Sequence, residues 1–416
     1  NLTIKKGVLR INNNAAATSR NLLIKGLTTV DLGAKFTVGT GDATHNVEFQ
    51  SDVINNGTID FANNTQYACP GGANTGVVKV TFTGAKNNTL TCNGPTDFYR
   101  MFVDKGTDAT YILSVLSTNT SYFRLFGPIS GGGCIDPSDG PEGWERLALV
   151  VYNGTLKLGS NIIIPRLGEN RAGTVCNEFS IPATARLWIN GATVATSNAG
   201  GGWRGFTLYG TLQVSAGSFT NPGNTGGITY YGNVATPGRL IFTGGNIYTT
   251  QLKRADANGR LAYIQTGGNF YITALSDSRG SSAVFALPDA EDVFEVSGGL
   301  IQINAINTTA TNGIHLLCQE GNYNVTGGTF EILLPTLGAA GQPEFEINST
   351  VPFYNLSLTE SANPSSQTLL LQDDLTILND LTIGANTVLD ADGKILEIGG
   401  DFIFEDYIRN RRKRVH

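Results

Sequence analysis

Asp373 and Asp374, side by side in "LQDDLTI", are the acidic pair in this sequence best suited to hydrolytic chemistry. A glycosidase needs two carboxyls about 5 to 9 Å apart, one to protonate the leaving oxygen and one to attack or to activate water. Neighbours on a strand point to opposite faces, so these two would need a further acid brought in from elsewhere. An Asp at a strand entrance is the plainer reading. Histidine chemistry has little to build on. The three histidines, His45, His315 and His416, are far apart, and none has metal-ligand spacing or a triad partner in view. "DADG" (Asp390 to Gly393) opens like a calcium loop, but its twelfth position is Asp401 where the loop needs Glu. It reads as a turn. "LPDAEDVF" gathers Asp289, Glu291 and Asp292, a solvated acidic turn that would hold surface calcium weakly at most. No other cofactor is expected.

The five cysteines form no CxxC pair, which argues against zinc. Cys69 and Cys92 lie 23 residues apart, about one structural repeat, and are candidates for a disulfide between stacked neighbours. Cys134 and Cys176 are a second candidate pair, and Cys318, in "IHLLCQE", reads as a core thiol. "SGGGCIDPSDGPEGWER" (130–146) is a long Gly- and Pro-rich surface loop. Its Asp136, Asp139, Glu142, Trp144 and Glu145 are the candidate ligand-contact residues, because long loops on rigid scaffolds often carry function. Trp203, Tyr230 and Tyr231 sit in similar Gly-rich contexts and could stack on sugars or serve turn packing. The Asn-x-Ser/Thr triplets at Asn56, Asn153 and Asn348 are explained by buried Asn ladders and turns in a chain so rich in Asn and Thr.

What would position such residues is written in the composition and in a repeat. The chain has 416 residues, 52 of them Gly, with 40% hydrophobic and only 15% charged. Ordinary soluble proteins carry about 25% charged residues. The net charge of −6 and the absence of a broad basic surface argue against a nucleic-acid partner. The one basic cluster is "RNRRKRVH" (409–416), a solvated tail. No apolar run reaches the roughly 18 residues of a spanning helix, so membrane insertion is not expected. With no starting Met and no signal peptide, the chain reads as an excised part of something longer.

The repeat is anchored on Gly217, Gly245, Gly268, Gly299 and Gly328, at intervals of 28, 23, 31 and 29 residues. Two positions after each anchor stands a large apolar residue: Phe219, Ile247, Phe270, Ile301, Phe330. Five before stand Leu212, Leu240, Tyr263, Phe294 and Tyr323, and three before stand Val214, Phe242, Val296 and Val325, with Gln265 the exception. Two before the anchor there is always Ser or Thr. The positions before and after the anchor have opposite parity, so both can face one core only if the chain bends between them. Gly-Gly suits that bend. The spacing is too short for four-stranded propeller blades and the residues too β-prone for helical repeats. A parallel β-helix remains. Its Ser/Thr column would be a hydroxyl ladder, and crossover chirality predicts the right-handed form. At roughly 16 coils and about 4.8 Å per coil the rod would be about 75 Å long.

The expected plan is all-β: β-helix coils over 1–64, a less regular region with the long loop over 65–147, regular coils over 148–408, and the basic tail over 409–416. The segment "NSTVPFYNLSLTESANPSSQTLLLQDDLTILNDLTIGANTVLDADGKILEIGGDFIFE" and the Gly-Gly phrases before it resemble very large secreted surface proteins of Bacteroidetes. The likeness spans roughly 186–405 and holds no catalytic signature. It is similar to type IX secretion cargo, including gliding-motility adhesins and cell-surface fibres. The resemblance implies export and an extracellular or cell-surface location. The family's C-terminal sorting domain is missing. Together these give a non-enzymatic structural or adhesive segment, a rigid spacer whose partners are surface polysaccharide, other surface proteins and the rest of its own longer chain. The alternative is a carbohydrate-active β-helix enzyme or a polysaccharide-binding module. Against the enzyme, β-helix hydrolases pair their acids with a Gly-His-Gly that this chain lacks.

Overall fold

In a computed structural model, residues 1–12, 18–39, 43–63, 76–127, 147–165, 167, 179–196, 206–221, 227–273, 283–304, 313–334, 345–360, 368–385 and 387–404 are described. They contain strands and turns and no helix. Every strand pairing among them is parallel, the pattern of a β-solenoid.

Each coil passes through three faces. On the first, Leu2–Ile4 pairs with Thr28–Val30, which pairs with Val53–Asn55, and the column runs on through Gly238–Phe242 and Leu261–Gln265. The second begins with Val8–Arg10 on Lys35–Thr37 and ends with Leu381–Ile383 on Phe402–Phe404. The third begins with Asn21–Ile24 on Thr44–Phe49 and ends with Thr368–Leu371 on Val388–Asp390. Interior positions stack in ladders. Leu212, Leu240, Tyr263, Phe294 and Tyr323 are successive partners in register, and so are Phe219, Ile247, Phe270, Ile301 and Phe330. These ladders and the third-face column of Phe179, Phe206, Ile228, Leu252, Phe285 and Ile314 form one continuous buried core. Aromatic contacts thread it, such as Phe36 edge-on to Phe61 at 4.8 Å and Phe330 stacked on Phe353 at 4.3 Å.

The glycine corner is observed as expected. All five anchors have φ between +74° and +90°, a region that side chains disfavour. At Gly245 an added Cβ would also lie 2.6 Å from the Gly217 carbonyl oxygen, so stacking forbids a side chain as strongly as φ does. The pairing shifts register at this corner, between Val296 and Leu300 for example, and this carries both flanking strands inward. Gln265, the polar exception, is fully buried and satisfied. Tyr263 Oη donates to its Oε1 at 2.6 Å, and its Nε2 donates to the Gly268 and Leu300 carbonyls, each at 3.2 Å.

Residues 76–127 wind through the same three faces as the coils before them. Their coils turn without the Gly-Gly phrase, so the sequence pattern does not register them. The Ser/Thr column is no ladder: Thr243, Thr266, Ser297 and Thr326 are exposed, and only Ser215 bonds, with Asn190 and Trp188. Asparagine supplies the rung-to-rung bonds instead, Asn46 to Asn21, Asn93 to Asn56, Asn269 to Asn246 and Asn379 to Asn355, at 2.7 to 3.0 Å. These ladders lie at the surface and partly buried corners rather than in the interior.

Candidate functional site

The candidate ligand-contact residues Asp136, Asp139, Glu142, Trp144 and Glu145 lie outside the described residues, as do Cys69, Cys134, Cys176, Trp203 and the tail 409–416. Cys92, offered as a disulfide partner, is a free thiol turned into the core beside Leu90, and burial pushes its pKa up to about 12. Its neighbour along the first face is Ser117, with Asn55 on the other side, so no cysteine stacks against it there. Cys318 is a buried core thiol as expected, also raised to about 12 by burial.

Asp373 and Asp374 are both exposed and serve the backbone. Asp373 accepts from the Asp374 amide, and Asp374 accepts from the Ile395 amide one coil on, at 2.8 Å. In the "DADG" turn Asp390 accepts from the Asp392 amide, and Asp392 takes φ +46°. The three acids of "LPDAEDVF" part company. Asp289 and Glu291 face Arg260, at 2.9 and 3.0 Å, and Arg254 adds a longer contact to Asp289. Asp292 turns inward and is fully buried, accepting from the Leu261 and Asp289 amides. Burial raises its pKa to about 6 despite those two donors. Arginine and backbone donors thus occupy the oxygens a cation would use. Among the described residues no group of three His, Cys, Asp or Glu is placed to hold a metal ion.

Tyr230 and Tyr231 also part. Tyr230 is interior and donates to the Ala286 carbonyl at 2.9 Å. Tyr231 is 39% exposed and stacks on Tyr209, itself 37% exposed, at 4.9 Å. A second stacked pair lies on the second face, where Tyr248 and Tyr271 rings are 4.9 Å apart and within 10° of parallel. They belong to an outward row one residue beyond the buried ladder: Thr220, Tyr248, Tyr271, Gln302, Glu331, Ser357 and Thr382 are successive partners in register. Gln302 Nε2 donates to Glu331 at 2.6 Å and the Thr359 hydroxyl reaches the other Glu331 oxygen at 3.3 Å. The row is a track in which two stacked tyrosine rings give way to amide, carboxylate and hydroxyl groups, one per rung.

This track was legible and missed. Its first five members, Thr220 to Glu331, sit three residues after an anchor glycine, where strand parity points outward. The two tyrosine rings stack on each other and so turn edges rather than faces outward, and the amide and carboxylate groups that follow supply hydrogen bonds. Such a surface suits an extended, many-hydroxyl ligand lying along the rod axis. No protein-family model, curated protein or solved structure matches this chain.

Proposed function

We propose that this chain is an extracellular structural segment of a larger surface protein, a rigid β-solenoid spacer with an adhesive face for polysaccharide. The winding is right-handed, as crossover chirality suggests, with roughly 16 coils at about 25 residues each. The resemblance to type IX-secreted Bacteroidetes surface fibres supports cell-surface display. The observation that carries the adhesive part is the outward track from Tyr248 through Glu331, because a stacked pair of ring edges followed by hydrogen-bonding groups in register offers apolar and polar contacts to an extended sugar chain.

A glycan array with the intact chain tests this, followed by affinity measurements on Tyr248→Ala and Tyr271→Ala. Each truncation is expected to weaken binding by about tenfold, roughly the worth of one aromatic face. Unchanged binding in both variants would remove the track from the reading. Release of reducing ends or unsaturated products from the bound polysaccharide would replace the adhesive with an enzyme.

A further inference from the structure

The corner between the third and first faces brings an amine, a carboxamide and a carboxyl group together from three successive coils. Asp52 lies between Thr44–Phe49 and Val53–Asn55. Asn88 opens Asn88–Cys92 just after Val77–Thr83, and Lys105 follows Arg100–Asp104. Parallel pairing stacks these corners, Thr44–Phe49 on Val77–Thr83 and Val77–Thr83 on Arg100–Asp104. Lys105 and Asn88 are both buried. The Lys105 ammonium donates to Asn88 Oδ1 at 2.6 Å and to the Thr83 carbonyl at 3.1 Å. Asn88 Nδ2 points at Asp52 Oδ1, 3.4 Å away, and the Thr89 amide donates to that same oxygen at 2.8 Å.

A buried ammonium held by an amide and a carbonyl is costly, because neither partner carries the opposite charge. Burial, with repulsion from Lys86, draws its pKa down to about 8. Part of the population is therefore neutral amine, the nucleophilic form of lysine. That amine touches the oxygen bonded to Asn88 Cγ, and a fixed contact of this kind replaces a chance encounter between reactants. We propose that Lys105 and Asn88 close an amide cross-link between adjacent coils, with Asp52 as the proton carrier. Asp52 takes a proton from the Lys105 ammonium. Lys105 Nζ attacks Asn88 Cγ, the new C–N bond forms, and the bond from Cγ to Nδ2 breaks. Asp52 hands its proton to the departing nitrogen and receives the one that the new amide nitrogen sheds. Ammonia leaves and takes that proton as ammonium, so Asp52 ends ionised as it began. No oxidant or other reactant is consumed. The product is a neutral amide in place of a buried charge, and any titration of Lys105 belongs to chains whose bond is still open. The ring it closes, 88–105, holds one coil to the coil before it at a corner that has no Gly-Gly pair. This inference is independent of any polysaccharide.

The test is intact mass of the purified, folded 416-residue chain, followed by tryptic mapping after denaturation. The expected chain is lighter than its sequence by one ammonia. Its peptide 87–100 is expected to be joined to 101–124, with the chain uncut after Lys105. Lys105→Arg and Asn88→Ala should restore the full mass and release 87–100 as a separate peptide. Asp52→Asn, followed from freshly synthesised chain, should slow closure by about a hundredfold or more. Wild-type chain of full sequence mass, cut normally after Lys105, overturns the proposal. So does loss of ammonia with 87–100 recovered unlinked, the mark of a succinimide at an asparagine. Closure of Asp52→Asn at the wild-type rate overturns the assignment of Asp52. The wild-type measurement decides the cross-link even where a variant fails to fold.

Discussion

Lys105 shows what a single buried charge does in this core. It is fully buried, its ammonium donating to Asn88 Oδ1 at 2.6 Å and to the Thr83 carbonyl at 3.1 Å. Burial, with Lys86 adding like-charge repulsion, pulls its pKa down to about 8. Between about 8 and the ordinary 10.5 the unfolded chain holds a proton that the folded chain has lost, so stability rises as pH climbs through that window. Lys105→Met removes this rise, and denaturant unfolding of both proteins across the window measures the difference. Asp292 acts in the opposite sense. Its folded pKa of about 6 stands above the ordinary 3.8, so its contribution to stability falls as pH rises between those values. Asp292→Asn flattens that fall, although it starts from lower stability because the Asp289 amide loses its acceptor. Neither behaviour was legible in sequence. Lys105 looks like any lysine in "VDKGT", and only the stacking of Thr83 and Asn88 beside it makes it interior.

At the scale of the element, the strand–corner–strand unit was legible because it depends on parity and on glycine, both local. The inward set around each anchor follows from alternation alone, and Phe219, Ile247, Phe270, Ile301 and Phe330 are all buried. What escaped is what depends on the neighbouring coil: the failure of the Ser/Thr column to bond, the asparagine pairs, and the turns that join the coils of 76–127. Those coils bend through other turns, such as "NGP" at Asn93 to Pro95, where the Thr96 hydroxyl donates to the Gly94 carbonyl at 3.0 Å and accepts from Asn55 Nδ2 of the coil before. Gly245→Val is expected to cost at least about 2 to 3 kcal/mol, from the unfavourable φ and the clash with the Gly217 carbonyl. Phe285→Ala, at a third-face rung touching Tyr263, Phe270, Phe294 and Phe330, is expected to cost about 3 to 5 kcal/mol. Chemical denaturation checks both. A loss under about 1 kcal/mol at Gly245 would mean the corner relaxes without its glycine.

At the scale of the molecule, a solenoid's stability is a sum of coils and of the contacts between nearest neighbours. An inner coil such as the one holding Leu261–Gln265 and Asn269–Ile272 is hydrogen-bonded to the coil before it and the coil after it. Among the described residues the strands Leu2–Ile4 and Phe402–Phe404 have a partner on one side only, and Phe402 and Phe404 bury little of their rings. Opening an end coil therefore breaks one interface, whereas opening a middle coil breaks two. Amide hydrogen exchange at low protein concentration should rise from the middle of the chain toward both ends, with peptides covering 261–272 the slowest. The glycine corners do not interrupt this, because the Asn269 amide bonds across the corner to the Gly245 carbonyl at 3.0 Å. Uniform exchange along the chain would mean that the solenoid opens as one cooperative unit and not coil by coil.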